Sequence, residues 1–192
     1  MGLKNRMSLS LEGLKFIQFW EGFEDEAYLD TGGVWTIGYG TTKINGKRVT
    51  KGMTCTPEQA SVWLAHDVKW AEASVNDSVD VEINQNQFDA LVSFTYNVGE
   101  TAFETSTLLR KLNANDYIEA ANQLLRWKYD NGRVIKGLLN RREAEKKVFE
   151  AVDQVDTLMN ILETYLKGYN IPKTSILTLH DMIQDHIDNI KN

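Results

Sequence analysis

One segment limits what this chain can fold into. From Gly32 to Gly52 it reads GGVWTIGYGTTKINGKRVTKG, β-branched and aromatic residues punctuated by glycines, with Asn45-Gly46 the favoured pair for a tight hairpin turn. Such a stretch makes a small sheet of two or three strands. On either side the periodicity is helical. Ser8 or Ser10, followed by Leu11, Leu14, Ile17, Phe19 and Trp20, predicts a short amphipathic helix ending near Gly22. Thr56-Pro57-Glu58-Gln59 combines an N-cap, a proline at the first helical position and a capping-box glutamine, so a second helix runs through Trp63, Leu64 and Val68 to about Trp70 or beyond. Asn84 with Gln87 repeats the device. The segment it opens, QFDALVSFTYNVG, is apolar nearly all round at Phe88, Leu91, Val92 and Tyr96, which predicts a central buried helix stopped by Gly99. Further helices are expected at about 105–113, 116–126 and 137–151, the last carrying Leu138, Leu139, Ala144 and Val148. A small β-hairpin lobe after the first helix, then a larger helical lobe, is an α+β fold with a cleft between lobes as the natural ligand site.

Residues 153–192 read differently from the 8–151 domain. Val155, Leu158, Leu162, Tyr165 and Leu166 form one helical stripe, and Ile176, Leu179, Ile183, Ile187 and Ile190 another, parted by a Gly, Asn and Pro break. This predicts a helical C-terminal extension. Two exposed apolar rows are an aggregation liability, so docking on the preceding domain or self-association is expected, with a small module that binds the substrate or a partner as the alternative.

Composition narrows the function. With 42% apolar and 25% charged residues the chain is an ordinary soluble protein, and its single cysteine, Cys55, cannot form an internal disulfide. No apolar run approaches the roughly 18 residues needed to cross a bilayer, and the start MGLKNRMSLSLEGLKF lacks a signal-type apolar core, so neither stable membrane insertion nor export is expected. Met7 is an alternative start. A formal charge of −6 argues against a general nucleic-acid binder. His66, His180 and His186 form no close metal-ligand spacing.

The chemistry-bearing segment is FWEGFEDEAYLDTGGVWTIGYG. Cleaving a glycosidic bond takes one carboxyl group that keeps its proton and a second polar group that orients or activates water. Glu21 follows the greasy run LKFIQFW, where desolvation would help retain a proton. Glu24, Asp25 and Glu26 are a like-charge run, the usual mark of a solvated face. Asp30, before Thr31-Gly32-Gly33, is placed to hold a turn, and Thr36 shares a strand face with Val34 and Gly38, the glycine leaving open space beside it. Taken one at a time, each of these residues has an ordinary structural role.

Their combination resembles a known family. Glu21, Asp30 nine residues on and Thr36 six further reproduce the Glu-x8-Asp/Cys-x5-Thr spacing of the phage-type lysozymes, the endolysins of glycoside hydrolase family 24. EGF, AYLD and GVWTIGYG resemble that family's triad segment, QFDALVSFTYNVG its central helix, and FETSTLLRKLN with RWKYDNGRVIKGLLNRREAE its closing elements, over about residues 8–151. The resemblance implies a lysozyme-like fold and a muramidase that hydrolyses the β-1,4 bond between N-acetylmuramic acid and N-acetylglucosamine with inversion. It assigns Glu21 as general acid, with Asp30 and Thr36 holding the attacking water, and no metal or organic cofactor. The partners it implies are peptidoglycan strands and a holin that releases the enzyme from the host bacterial cytoplasm to the wall. A lytic transglycosylase, or an inactive or virion-borne wall-binding protein, is the alternative. Gln87 and Asn97 are candidates to bond sugar amides. Arg126, Lys128, Arg133, Lys136, Arg141 and Arg142 would offset the acidic charge if they line the cleft, with Arg141 or Arg142 pairing with a carboxylate as a further option. Trp20, Trp35, Trp63, Trp70 and Trp127 are sugar platforms or, for most of them, core; Trp35, pointing away from Thr36, belongs to the core.

Overall fold

The computed structural model describes residues 6–151 together with Thr178 and Met182. The chain divides into two compact units, 1–150 and 151–192. The stripes expected of the extension lie outside the described residues.

The first unit begins with α1 (Leu11–Glu21), capped by Ser10, whose hydroxyl accepts from Gly13 N, and ended by Gly22 at φ 74°. Of the expected apolar stripe only Ile17 is fully buried; Leu11 and Phe19 stand 58% and 76% exposed, so the stripe is narrower than the pattern predicted. Two strands follow, β1 (Glu24–Leu29) and β2 (Trp35–Gly38), paired antiparallel with Tyr28 opposite Thr36 and Leu29 opposite Trp35. The carboxylate run thus becomes a strand whose Glu24, Asp25 and Glu26 are exposed, with a further antiparallel bridge from Glu26 to Thr54. A second hairpin, β3 (Lys43–Ile44) and β4 (Lys47–Arg48), turns at Asn45 (φ 50°) and Gly46 (φ 78°), as the dipeptide predicts. Ile37, Val49, Cys55 and Ala60 form the small-lobe core, with Phe23, Trp35 and Trp63 against it.

The helical lobe starts at α2 (Pro57–Asp67), where Thr56 and Gln59 make the complete capping box. The helix does not continue to Trp70. It breaks at Val68 and resumes as α3 (Lys69–Ser78), because the Val68 carbonyl takes both Ala71 N and Glu72 N. The central helix α4 (Gln85–Val98) is capped by Asn84 and Gln87 and buried from Phe88 to Thr95. Around it lie α5 (Glu100–Glu104), α6 (Thr107–Asn113), α7 (Tyr117–Leu124) and α8 (Lys136–Glu150). Between α7 and α8 is a hairpin that the helical reading missed, β5 (Tyr129–Asp130) and β6 (Arg133–Val134), turning at Asn131 and Gly132.

Gly38 corrects one expectation. It does not leave open space beside Thr36, because a Cβ there would lie 2.7 Å from the Ala60 Cβ of α2, and its φ is +66°. Helix α2 fills that space and presses β2 against the small-lobe core. Gly38→Ala is expected to lower unfolding free energy by about 2–4 kcal/mol through left-handed strain and overpacking. Urea denaturation of the variant beside the wild type checks this.

Candidate active site

Glu21 closes α1, and the helix stops at Gly22 because the left-handed φ of a glycine lets the chain turn into β1. Its Oε1 accepts a 2.8 Å hydrogen bond from Arg141 Nη1 on α8, while Oε2 has no partner among the described residues. The Glu21 side chain is 24% exposed, and one of its oxygens is fixed from inside the lobe.

Arg141 is 4% exposed and works as a three-way fork. Its Nε donates to Glu145 Oε1 at 3.1 Å, and its Nη2 reaches the Ser93 carbonyl and hydroxyl at 3.3 and 3.4 Å. Glu145 Oε1 also accepts from Arg142 Nη2 at 3.0 Å and from the Ser93 hydroxyl at 2.9 Å. Burial pushes the Glu145 carboxyl upward, against the pull of Arg142, Arg141 and Ser93. With three donors on one oxygen and Arg142 Nε 2.9 Å from the other, the carboxylate is the form that fits this pocket. Burial also draws the Arg142 guanidinium down to about 10, Glu145 opposing and Arg141 adding to the shift, so it stays charged at neutral pH. Arg142 packs 5.0 Å over the Phe94 ring and donates to Asn97 Oδ1 at 3.0 Å.

On the small lobe Asp30 does what its sequence context predicts. Its Oδ1 accepts from Gly32 N at 2.9 Å and Val34 N at 2.8 Å, closing the turn between β1 and β2. Its Oδ2 has no partner among the described residues. Thr36 is 4% exposed and donates its hydroxyl to the Val34 carbonyl at 3.1 Å, which leaves oxygen lone pairs for an incoming donor.

Two tyrosines missed from the sequence complete the surroundings. Tyr28, opposite Thr36 on the hairpin, has its phenol pushed up by desolvation and by the charges of Glu24, Asp30 and Glu21. Tyr96 on α4 is pushed up by desolvation and by Glu21 and Asp67, with Arg141 opposing. Glu21 therefore lies within electrostatic reach of both phenols. The alternation of β1 and the helical phase of α4 carried this signal, but only together with the pairing of the two lobes.

The other nominated residues divide. The Asn97 carbonyl is committed to Arg142, which turns its exposed amide nitrogen outward. The Gln87 carbonyl is taken by Asn84 N in the α4 cap, at the opposite end of α4 from Asn97. Arg133 is exposed on the β5–β6 hairpin, as are Arg126 and Lys136 near it, whereas Arg142 is fully buried and cannot line a cleft. Trp127 packs 5.3 Å from Phe94 in the core, and Trp70 lies 6.0 Å from Tyr96 with 41% of its surface exposed.

The model of the phage lysozyme family matches residues 18–145, a span that contains Glu21, Asp30, Thr36 and the Arg141 fork. The chain belongs to the phage lysozyme family. The endolysin of Salmonella phage P22 is 42% identical over 144 residues, covering 74% of this chain and 98% of that protein. The endolysin from Escherichia coli O157:H7 phage FAHEc1 superposes with TM-score 0.72 at 43% identity, covering 77% of this chain and 96% of that one. The muramidase domain of SpmX from Asticaccaulis excentricus superposes with TM-score 0.70 at 36% identity over 77% of this chain and all of that domain. In this phage lysozyme, Arg142→Ala is expected to cost about 3–5 kcal/mol, because removing one partner strips Glu145 of its nearest buried cation. A melting curve at neutral pH measures it.

Proposed function

We propose that this member of the phage lysozyme family is an endolysin muramidase, with peptidoglycan strands as substrate and Glu21 as the general acid. One observation carries the reading: Glu21 is held through Oε1 by Arg141 while Oε2 has no partner among the described residues, in a chain with the family's triad spacing. Protonated on Oε2, Glu21 gives its proton to the glycosidic oxygen as the bond to the muramic anomeric carbon breaks. Water attacks that carbon and passes a proton to Asp30 Oδ2, the oxygen not used in the turn, while Thr36 accepts from the same water. Attack by water from the opposite face inverts the anomeric carbon.

The likeness to the muramidase domain of SpmX supports the choice of bond. Asn97, with its carbonyl held by Arg142 and its amide nitrogen exposed, is a donor for a sugar amide carbonyl. Gln87 and Arg133 are substrate contacts in the same reading only if a strand reaches beyond the Glu21 region. The family resemblance supports synthesis in the host cytoplasm, release through a holin and action on the wall. Among the described residues no helix is long and apolar enough to cross a membrane. The 8–151 segment is taken as the catalytic domain, and 153–192 as an extension that docks or self-associates.

Mass spectrometry of fragments released from purified peptidoglycan tests the bond. Reducing N-acetylmuramic acid ends are expected from the wild type; anhydro ends would mean a transglycosylase, and absence of fragments a binding role. Glu21→Gln is expected to abolish release with little loss of stability. Asp30→Asn keeps Oδ1 for the turn, so it should fold normally yet lose at least about a hundredfold in kcat, the range of a lost acid-base group. NMR of the first-formed anomer reads inversion directly.

A further inference from the structure

The proposed acid has a cation for its nearest partner, and a lone guanidinium at hydrogen-bond distance favours the ionised form of a carboxyl group. Arg141, however, does not belong to Glu21 alone. Its Nε is bonded to Glu145, which is fully buried and lies one helical turn further along α8. Arg141 and Arg142 bring two buried positive charges and Glu145 one negative charge. Ionised Glu21 makes this cluster neutral, and protonated Glu21 leaves it with a single excess positive charge. Without Glu145 the same two states would carry one and two uncompensated charges, which burial penalises steeply.

We propose that Glu145 is a positioning residue for catalysis: it shares Arg141 with Glu21 and supplies the buried negative charge that lets Arg141 stay in place while Glu21 carries its proton. The inference rests on Glu21 being the general acid. Geometry makes the sharing possible, since Nε faces Glu145, Nη1 faces Glu21, and Ser93 on α4 bonds both Nη2 and Glu145 Oε1. When Glu21 gives up its proton, its carboxylate completes the charge balance without movement of the fork. When it regains the proton, Glu145 retains Arg141, and Glu21 Oε1 still accepts from Nη1.

The groups around the two carboxyls are few. Among the described residues the charges acting on Glu145 are those of Arg142 and Arg141, both on its own helix, and α4 faces it with the neutral hydroxyl of Ser93. Glu21 meets Arg141 from α8, and acts on Tyr28 from β1 and Tyr96 from α4, whose phenols are both pushed up and stay neutral across the working range. Asp30 and Glu24 act on Tyr28, and Asp67 on Tyr96.

The test is the pH profile of kcat/KM on purified peptidoglycan for the full chain. Glu145→Gln keeps an acceptor for Arg141, Arg142 and Ser93 but removes the charge, so Arg141 acts on Glu21 undivided. The alkaline limb, which reports the acid, is expected to move to lower pH by about one unit, with a tenfold loss along that limb and KM nearly unchanged. Because the single variant leaves Arg142 uncompensated, the paired change of Arg142→Met with Glu145→Gln is measured beside it; this removes cation and anion together, returns the cluster to its wild-type net charge and is expected to bring the limb back toward its wild-type position. A limb that keeps its wild-type position in folded Glu145→Gln, or that is displaced in the paired variant as far as one unit, would overturn the proposal. Glu21→Gln separates the two levels: if it is inactive and Glu145→Gln keeps the wild-type profile, only the role of Glu145 falls. Activity in Glu21→Gln would remove the reading beneath it.

Discussion

The Arg141 fork is the interaction on which the rest of the lobe depends. Helix α8 is built largely from Lys, Arg, Glu and Asn, yet it packs against the central helix α4 and buries Arg141, Arg142, Glu145 and Phe149. Bringing such charges out of water costs several kcal/mol per ion unless each finds partners of opposite sign and hydrogen bonds for its remaining groups. Here the partners come from three places: Glu145 on the same helix, Ser93 and Asn97 on α4, and Glu21 at the end of α1, while Arg142 Nε and Nη1 and Glu145 Oε2 make no hydrogen bond among the described residues. The end of α1 is thereby fixed to the helical lobe while its next residue turns into the hairpin.

The small lobe solves a different problem, that of holding a short, polar hairpin still. Strand β1 buries almost nothing of its own, so its geometry comes from the Asp30 turn, from β2, which is pressed between the local core and α2, and from backbone bonds on its other side, Ala27 N to the Met53 carbonyl and Cys55 N to the Asp25 carbonyl. Asp30 divides its labour by oxygen, Oδ1 to backbone amides and Oδ2 to solvent. Tyr39 packs against both hydrophobic clusters and so lies where the two lobes share a core.

How much of this could be read from the chain follows from how local each signal is. Capping boxes at Thr56-Gln59 and Asn84-Gln87 and the Asn45-Gly46 turn need only adjacent residues, and the structure contains all of them. Asn131-Gly132 was the same kind of signal, obscured by the helical periodicities on both sides. The break at Val68 had no Gly or Pro to announce it and depends on where Ala71 and Glu72 pack. At the site, spacing pointed to Glu21, Asp30 and Thr36, and a pairing of Arg141 with a carboxylate was within reach of charge reasoning. Glu145 was not, because an Arg and a Glu four apart on a polar helix look like an exposed pair. Only the packing of α8 on α4 makes it a buried one.

The bond between Glu21 and Arg141 spans 120 positions of sequence. During synthesis the proposed acid, its hairpin and the turn at Asp30 all emerge before the helix that carries the fork. A ribosome-bound fragment can thus hold every residue of the triad and still lack the group that aims the first of them. Completion of the active centre is tied to the docking of α8, so chain length acts as a timer, and truncation anywhere before that helix leaves Glu21 unaimed while Asp30 keeps its turn.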